Sequence, residues 1–337
     1  MQECGAAVVK SELRELLIRS IGALSSADEL AEQLFRGSSS GGEFGSDSES
    51  QKRWLQRVEF HLVRLDSADY TRALIRSIWL APGFAGTDFG GSRQRDLAQV
   101  WTDALRGFLG ELAFQKFLEK RFRVSVKLSS RRGSLEEFLP SDIEQIQKPG
   151  EGWREPKLRV SIKTTKFSGR WLDLPGAQFE HSDVFVLVKL GISRVHFLSF
   201  LKHISFIRDK LIPRARELGE LSEAEAQELW NDLPEFAPIP AYIAGFLEKQ
   251  GLSGPIHQIA CSVAGRRKKK IKISAGVGLF SLEAVRSHPE VKKLDSSGSL
   301  PIAVDPIIES LTSPHFLANS GALSFEREAW ESLISRL

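Results

Sequence analysis

Three short segments carry residues whose types and spacing suit hydrolytic chemistry. Residues 110–114 read Gly-Glu-Leu-Ala-Phe and set Glu111 in a helical pattern. Residues 140–144 read Pro-Ser-Asp-Ile-Glu and set Asp142 just before a short strand. Residues 160–163 read Val-Ser-Ile-Lys and set Lys163 inside the next strand. Asp142 and Lys163 lie 21 positions apart, a separation that suits two adjacent strands, with Pro149 and Gly150 as turn residues between them. Carboxylates hold Mg²⁺ through hard oxygen atoms. A bound metal lowers the pKa of water and clamps charge on an attacked phosphate. A lysine nearby orients the nucleophile or stabilises the transition state. Metal-assisted hydrolysis of a phosphodiester is the chemistry such a set would serve. The same residues also suit plainer roles as a turn cap, a solvated strand lysine and a surface helix carboxylate, because charged side chains mostly sit on solvated faces.

Strand parity sharpens the pattern. Leu158, Val160 and Ile162 point one way; Arg159, Ser161, Lys163 and Thr165 point the other. Lys163 thus leaves the buried face and can reach a site at the sheet edge. Asp142 and Glu144 share a face by the same rule. Glu111 falls at the edge of an apolar stripe of Leu97, Trp101, Leu105, Phe108 and Leu112, beside Gly107 and Gly110. Small residues there let another element approach closely.

The elements that must position these groups follow from periodicity. Residues 8–35 read as helical, with Leu13, Leu16, Leu17, Ile21 and Leu24 at helical spacing. Residues 37–50 are rich in Gly and Ser and read as a flexible linker that buries almost nothing. Residues 54–79 are helical again, Pro82-Gly83 and Gly90-Gly91 break the pattern, and a longer helix runs over about 93–121. Residues 122–128 and 157–164 alternate as half-buried strands, 183–190 reads as a central strand, and 195–200 as one more. Residues 201–211 look helical and stop at Pro213, and an acidic helix spans 217–233. Beyond it the pattern predicts a helix over 241–250, a strand pair within 257–280 and a helix near 326–337. The expected fold class is α/β, a mixed sheet with helices on both faces. The expected organisation is an N-terminal helical arm (1–36), the linker (37–50), a main domain (51–235) with its core at about 106–211, and an α+β C-terminal module (236–337).

Glu111, Asp142 and Lys163 in this order resemble the PD-(D/E)xK nuclease superfamily, in particular type II restriction endonucleases, over roughly residues 106–211. Glu111 matches the family's helix glutamate. Asp142 matches the motif aspartate, though Ser141 separates it from Pro140, and Lys163 matches the motif lysine. Ser161 stands where the family usually has Asp or Glu; some restriction enzymes carry Ser there and take a carboxylate from elsewhere. Glu111 is the first substitute, with Glu144, Asp173 and Glu180 behind it. The resemblance implies a restriction-endonuclease-like fold and site-specific cleavage of double-stranded DNA by a homodimer. It implies Mg²⁺, with Mn²⁺ as a substitute, on Glu111 and Asp142. Lys163 would be catalytic, and Ser161 would shape the pocket or bind a ligand water. A repair nickase or junction resolvase on the same fold fits as well, and so does a DNA-binding protein whose nuclease site has decayed.

Basic residues offer DNA contacts. Lys166 and Arg170 follow the lysine strand beside Trp171, in a loop that equally suits a core-packed tryptophan. Arg131-Arg132 sits in an expected turn. Arg266, Arg267, Lys268, Lys269 and Lys270, then Lys272, form the strongest cluster, able to neutralise several phosphates or to remain a solvated turn. The net charge of +3 excludes a wholly electrostatic binder and leaves the distribution of charge to decide. His181, His196, His203 and His257 show no paired spacing and read as core or surface residues. No Gly-rich loop followed by Lys-Ser/Thr is present, so no nucleotide cofactor is expected. Cys4 and Cys261 imply neither a disulfide framework nor a zinc site. The first ten residues lack the pattern of a signal peptide. The most apolar strand-like run, 183–189, is far short of the ~20 residues a membrane helix needs. The expectation is a cytoplasmic protein without a membrane segment.

Overall fold

The computed structural model describes residues 2–22, 26–84, 97–129, 141–250, 260–263, 269–272, 278–287, 289–298, 302–304, 311 and 313–337. Along the chain run α1 (Gln2–Ile21), α2 (Ala27–Ser40), α3 (Ser48–His61), β1 (Leu62–Leu65), α4 (Ser67–Phe84) and α5 (Leu97–Phe122). Then come β2 (Ser125–Leu128), β3 (Ile143–Gln147), β4 (Val160–Lys166), β5 (Trp171–Pro175), β6 (Val184–Leu190) and β7 (Ile239–Glu248). Short strands β8 (Ala260–Val263), β9 (Lys269–Lys272), β10 (Gly278–Phe280), β11 (Ile302–Val304) and β12 (His315–Asn319) precede a last helix, Arg327–Arg336.

Four strands meet in one mixed sheet of order β1-β7-β6-β4, with β4 and β6 parallel and the other pairs antiparallel. Every residue of β6 is buried: its apolar run Val184–Val188 requires a place inside the sheet, and Lys189 is buried with it. One face, through Val160, Ile162, Val184, Val186 and Val188, packs on α5 and on Trp330 of the last helix. The other, through Phe185, Leu187, Tyr242 and Ala244, packs on α1, α2, α3 and β5. The protein is therefore mixed α/β, a mixed sheet flanked by helices. Among the described residues no helix is long and apolar enough to cross a membrane.

The structure departs from the sequence reading in several places. Residues 37–50 are not a loose linker: 37–40 complete α2, and α3 begins at Ser48 with Asp47 accepting from the Ser50 N–H. Their small residues serve close packing, since a Cβ on Gly37 would lie 2.4 Å from the Phe167 carbonyl oxygen. The predicted helix at 241–250 is instead β7, because a strand buried on both faces shows no alternation to read. That strand stands inside the sheet and the last helix packs in the same core, so 236–337 is no separate module. The arm 1–36 likewise belongs to the second core layer through Leu13, Leu17 and Leu34. Residues 195–200 are not a strand: they lie in a helix, Arg194–His203, capped by Ser193 and His196. Pro213 does not stop a helix: it is the second residue of the helical segment Ile212–Glu217, which continues directly from a π-helical turn, Ile207–Leu211. Arg131, Arg132 and Pro140 lie outside the described residues.

Two buried polar groups tie the layers together. Lys189 of β6 donates to Glu43 at 2.5 Å and to Ser320 at 3.2 Å, and the Glu43 and Lys189 side chains are both 0% exposed. Tyr242 and Trp54 also donate to Glu43, at 2.8 and 3.2 Å. Burial alone would raise the Glu43 carboxyl, but the charges of Lys189 and Arg57 outweigh it and hold the pKa at about 2. His61 donates from Nδ1 to the Arg57 carbonyl at 2.8 Å, and its Nε2 accepts from the Trp330 indole at 3.1 Å, so the ring is neutral. Burial lowers its pKa from 6.5 to about 4.

Replacing Glu43 with Ala leaves Lys189 uncompensated in the core and is expected to cost about 3–5 kcal/mol, read from denaturant unfolding. Unchanged stability would mean that residues 37–50 are loose after all. The unfolded chain protonates His61 near 6.5 and the folded chain only near 4, so this contribution is complete above pH 6.5. It is lost as pH falls toward 4, by about 3 kcal/mol. Unfolding curves across that window check it: a flat wild-type profile would contradict the neutral buried ring.

Candidate active site

The outer edge of β4 organises the centre. The Asp142 N–H donates to the Val160 carbonyl at 2.8 Å, and the Asp142 carboxylate accepts from the Ile162 N–H at 2.5 Å. Its own carbonyl accepts from Ser129 at 2.9 Å. These bonds attach the β2–β3 pair to β4 and fix Asp142 beside the strand. From one face comes α5. A Cβ on Gly110 would lie 1.9 Å from Thr164 Oγ1, so only glycine lets the helix lie this close and carry Glu111 to the edge. Gly107 meets nothing within 4 Å and plays no such part. From the other face of β4, Lys163 reaches across to donate to Gln178, on the short helix Gly176–His181.

These groups act on one another's charge. Glu111 is raised well above the carboxylate range, first by burial and then by the charge of Asp142, with Arg76 and Lys163 in partial offset. Burial also raises Asp142 against the pull of Lys163, the Ile162 N–H and Arg76. Burial lowers the Lys163 amine while Asp142, Asp173 and Glu111 draw it back up. Arg76 of α4 stands 3.7 Å from Glu111 and lies over the Phe108 ring. Ser161, 6% exposed, occupies the same face of β4 as Lys163.

Of the substitute carboxylates, Asp173 is brought toward Lys163, and it accepts from His315 Nδ1 at 2.8 Å when that nitrogen carries the proton. His315 Nε2 is buried and has no partner among the described residues. Glu144 is exposed, and Glu180 faces Lys249 at 3.8 Å, so neither joins the centre. The roles of Arg76, Gln178 and His315 were not legible in the sequence, since no spacing links them to Lys163.

The DNA-contact residues are dispersed. Lys166 is exposed and lines a cleft of about 440 Å³ with Arg36 and Arg106. Arg170 is half-buried with its guanidinium 5.9 Å from the Trp171 ring. Lys269 and Lys270 lie in β9, paired with β8, while Arg266, Arg267 and Lys268 lie outside the described residues.

Among the described residues, no group of three or more His, Cys, Asp or Glu side chains gathers as a metal site. Two carboxylates nonetheless suit Mg²⁺, which binds through one or two of them and keeps oxygens of water or phosphate as its other ligands. Two desolvated carboxyls, one of them, Glu111, raised further by the charge of the other, are also a pair a cation would relieve. No family model matches this chain, and neither a curated protein nor a solved structure gives a significant match.

The contact of α5 with β4 is testable. Gly110→Ala is expected to cost about 1–3 kcal/mol through overpacking, and Thr164→Ala in the same chain to recover part of that loss. Strictly additive costs in denaturant unfolding would show that the two residues do not touch.

Proposed function

We propose that the protein is a Mg²⁺-dependent endonuclease that hydrolyses DNA phosphodiester bonds. The observation that carries the reading is the convergence of Glu111, Asp142 and Lys163 at one strand edge from three separate elements. The residue set resembles that of the PD-(D/E)xK nucleases, with Ser161 in place of the usual acid.

In this reading Glu111 and Asp142 hold the metal, Mg²⁺ or Mn²⁺, which when bound supplies an acidified water and a clamp on phosphate charge. Lys163, steadied by Gln178, orients the attacking water or offsets charge on the phosphate. The water oxygen forms the new bond to phosphorus, and the departing sugar oxygen leaves with a proton. Arg76 keeps part of the carboxylate charge in balance, and Ser161 shapes the floor beside Lys163. Lys166, Arg170 and the 266–270 run contact the DNA backbone. Two copies of the chain each cut one strand. A decayed nuclease that only binds DNA is the second reading, favoured by Ser161 and by the lack of a third clustered carboxylate among the described residues. A nickase or resolvase differs only in product.

Incubation with a mixed DNA substrate, with Mg²⁺ or with EDTA, separates these readings. Discrete fragments that require the metal are expected. Lys163→Ala is expected to lower cleavage on the order of 10²–10³-fold, with duplex affinity little changed. Undiminished cleavage by that variant would sink the assignment of Lys163, and tight binding without cleavage under any divalent metal would favour the decayed form.

A further inference from the structure

An open cleft of about 610 Å³ lies where the C-terminal end of α5 meets the end of β3 and the last helix. Lys120, Arg121, Arg123, Lys148 and Arg327 line it against a single carboxylate, Glu331. That carboxylate is engaged by Arg327 at 2.8 Å. Arg121 donates to the Glu59 carbonyl at 2.9 Å, yet its Nε is buried with no partner among the described residues. Lys148 donates to the Ser335 carbonyl at 3.0 Å. Burial lowers its amine, and the charges of Arg154 and Lys157 add to this despite Glu151. Among the described residues neither Lys120 nor Arg123 has a carboxylate partner.

The backbone marks Arg123 out. At φ 57° it is the one non-glycine residue with positive φ among those described. It ends α5: its N–H bonds the Glu119 carbonyl at 3.1 Å, and the Val124 N–H bonds that of Leu118 at 3.3 Å. Helix ends of this form favour glycine, which takes the left-handed conformation freely. An arginine at so unfavourable a position, with its side chain in a basic cleft, directs attention to what the side chain binds.

We propose that this cleft is a phosphate-binding site, separate from the centre at Glu111, that takes a multiply charged phosphate ligand. Its volume falls in the range of small-ligand sites. Guanidinium forks and lysine ammonium groups are the donors that phosphate oxygens match. Glu111 and Lys120 are nine residues apart on one helix, about 14 Å along its axis, so one phosphate cannot serve both places. The assignment does not depend on the nuclease reading.

The test is calorimetric titration of the full chain with sodium tripolyphosphate at constant ionic strength, with a short DNA duplex as competitor. Tripolyphosphate is expected to bind, and the double substitution Arg123→Gly, Lys148→Gln to weaken it by about tenfold or more. Arg123→Gly alone is expected to leave the thermal midpoint equal or higher, because glycine relieves the left-handed backbone, so lost binding cannot be put down to lost folding. Lys163→Ala is expected to leave binding unchanged, which keeps this site distinct from the proposed catalytic one. Displacement by the duplex would assign the phosphates to a nucleic-acid backbone; no displacement would assign a free phosphate compound. If neither probe binds, or if the double substitution leaves the binding of both unchanged, the proposal is overturned.

Discussion

Lys189 sits in a strand whose every residue is buried, and a charge in such a place needs a partner at hand. Glu43 is that partner, and it comes from the segment between α2 and α3. The pair therefore ties the N-terminal helices to the second face of the sheet, where Tyr242 and Trp54 complete the carboxylate's hydrogen bonds. Register carries the effect to the candidate site: Lys189 lies beside Thr165, and Leu187 beside Lys163. The helices that cover Lys189 thus cover the face from which Lys163 projects. The dry surroundings that lower the Lys163 amine follow from how the far end of the chain is anchored.

The other face is set by sterics rather than charge. Gly110 allows α5 to touch β4 at Thr164, and one residue on, Glu111 arrives at the edge where Asp142 is already bonded to the strand backbone. Groups from both faces meet only because β4 is an edge strand of the four-stranded sheet. The outcome is two carboxyls raised by burial and a lysine lowered by it. Each charged form is disfavoured alone, and a divalent cation bridging toward a phosphate would satisfy them together.

How far the sequence revealed this depended on local signals. The strands at 160–166 and 184–190 and the long helix with Gly110 were legible because periodicity and small residues announce them. The three residues that the structure brings together at the β4 edge could be named from type and spacing. What escaped was non-local. Strand β7 lacks alternation because both its faces are buried, so its period misleads. The Gly/Ser composition at 37–50 looks like slack, yet Gly37 is small because the Phe167 backbone lies against it. Gln178, Arg76 and His315 join the centre only through the tertiary fold, and nothing in their neighbourhoods along the chain points to Lys163.

Anomalous diffraction from crystals of the protein soaked in Mn²⁺ addresses the central claim most directly. The expected result is a peak about 2.1 Å from oxygens of both Glu111 and Asp142, on the side of the β4 edge that Lys163 reaches. A Mn²⁺ ion bound only elsewhere, with Glu111 and Asp142 turned apart, would contradict it.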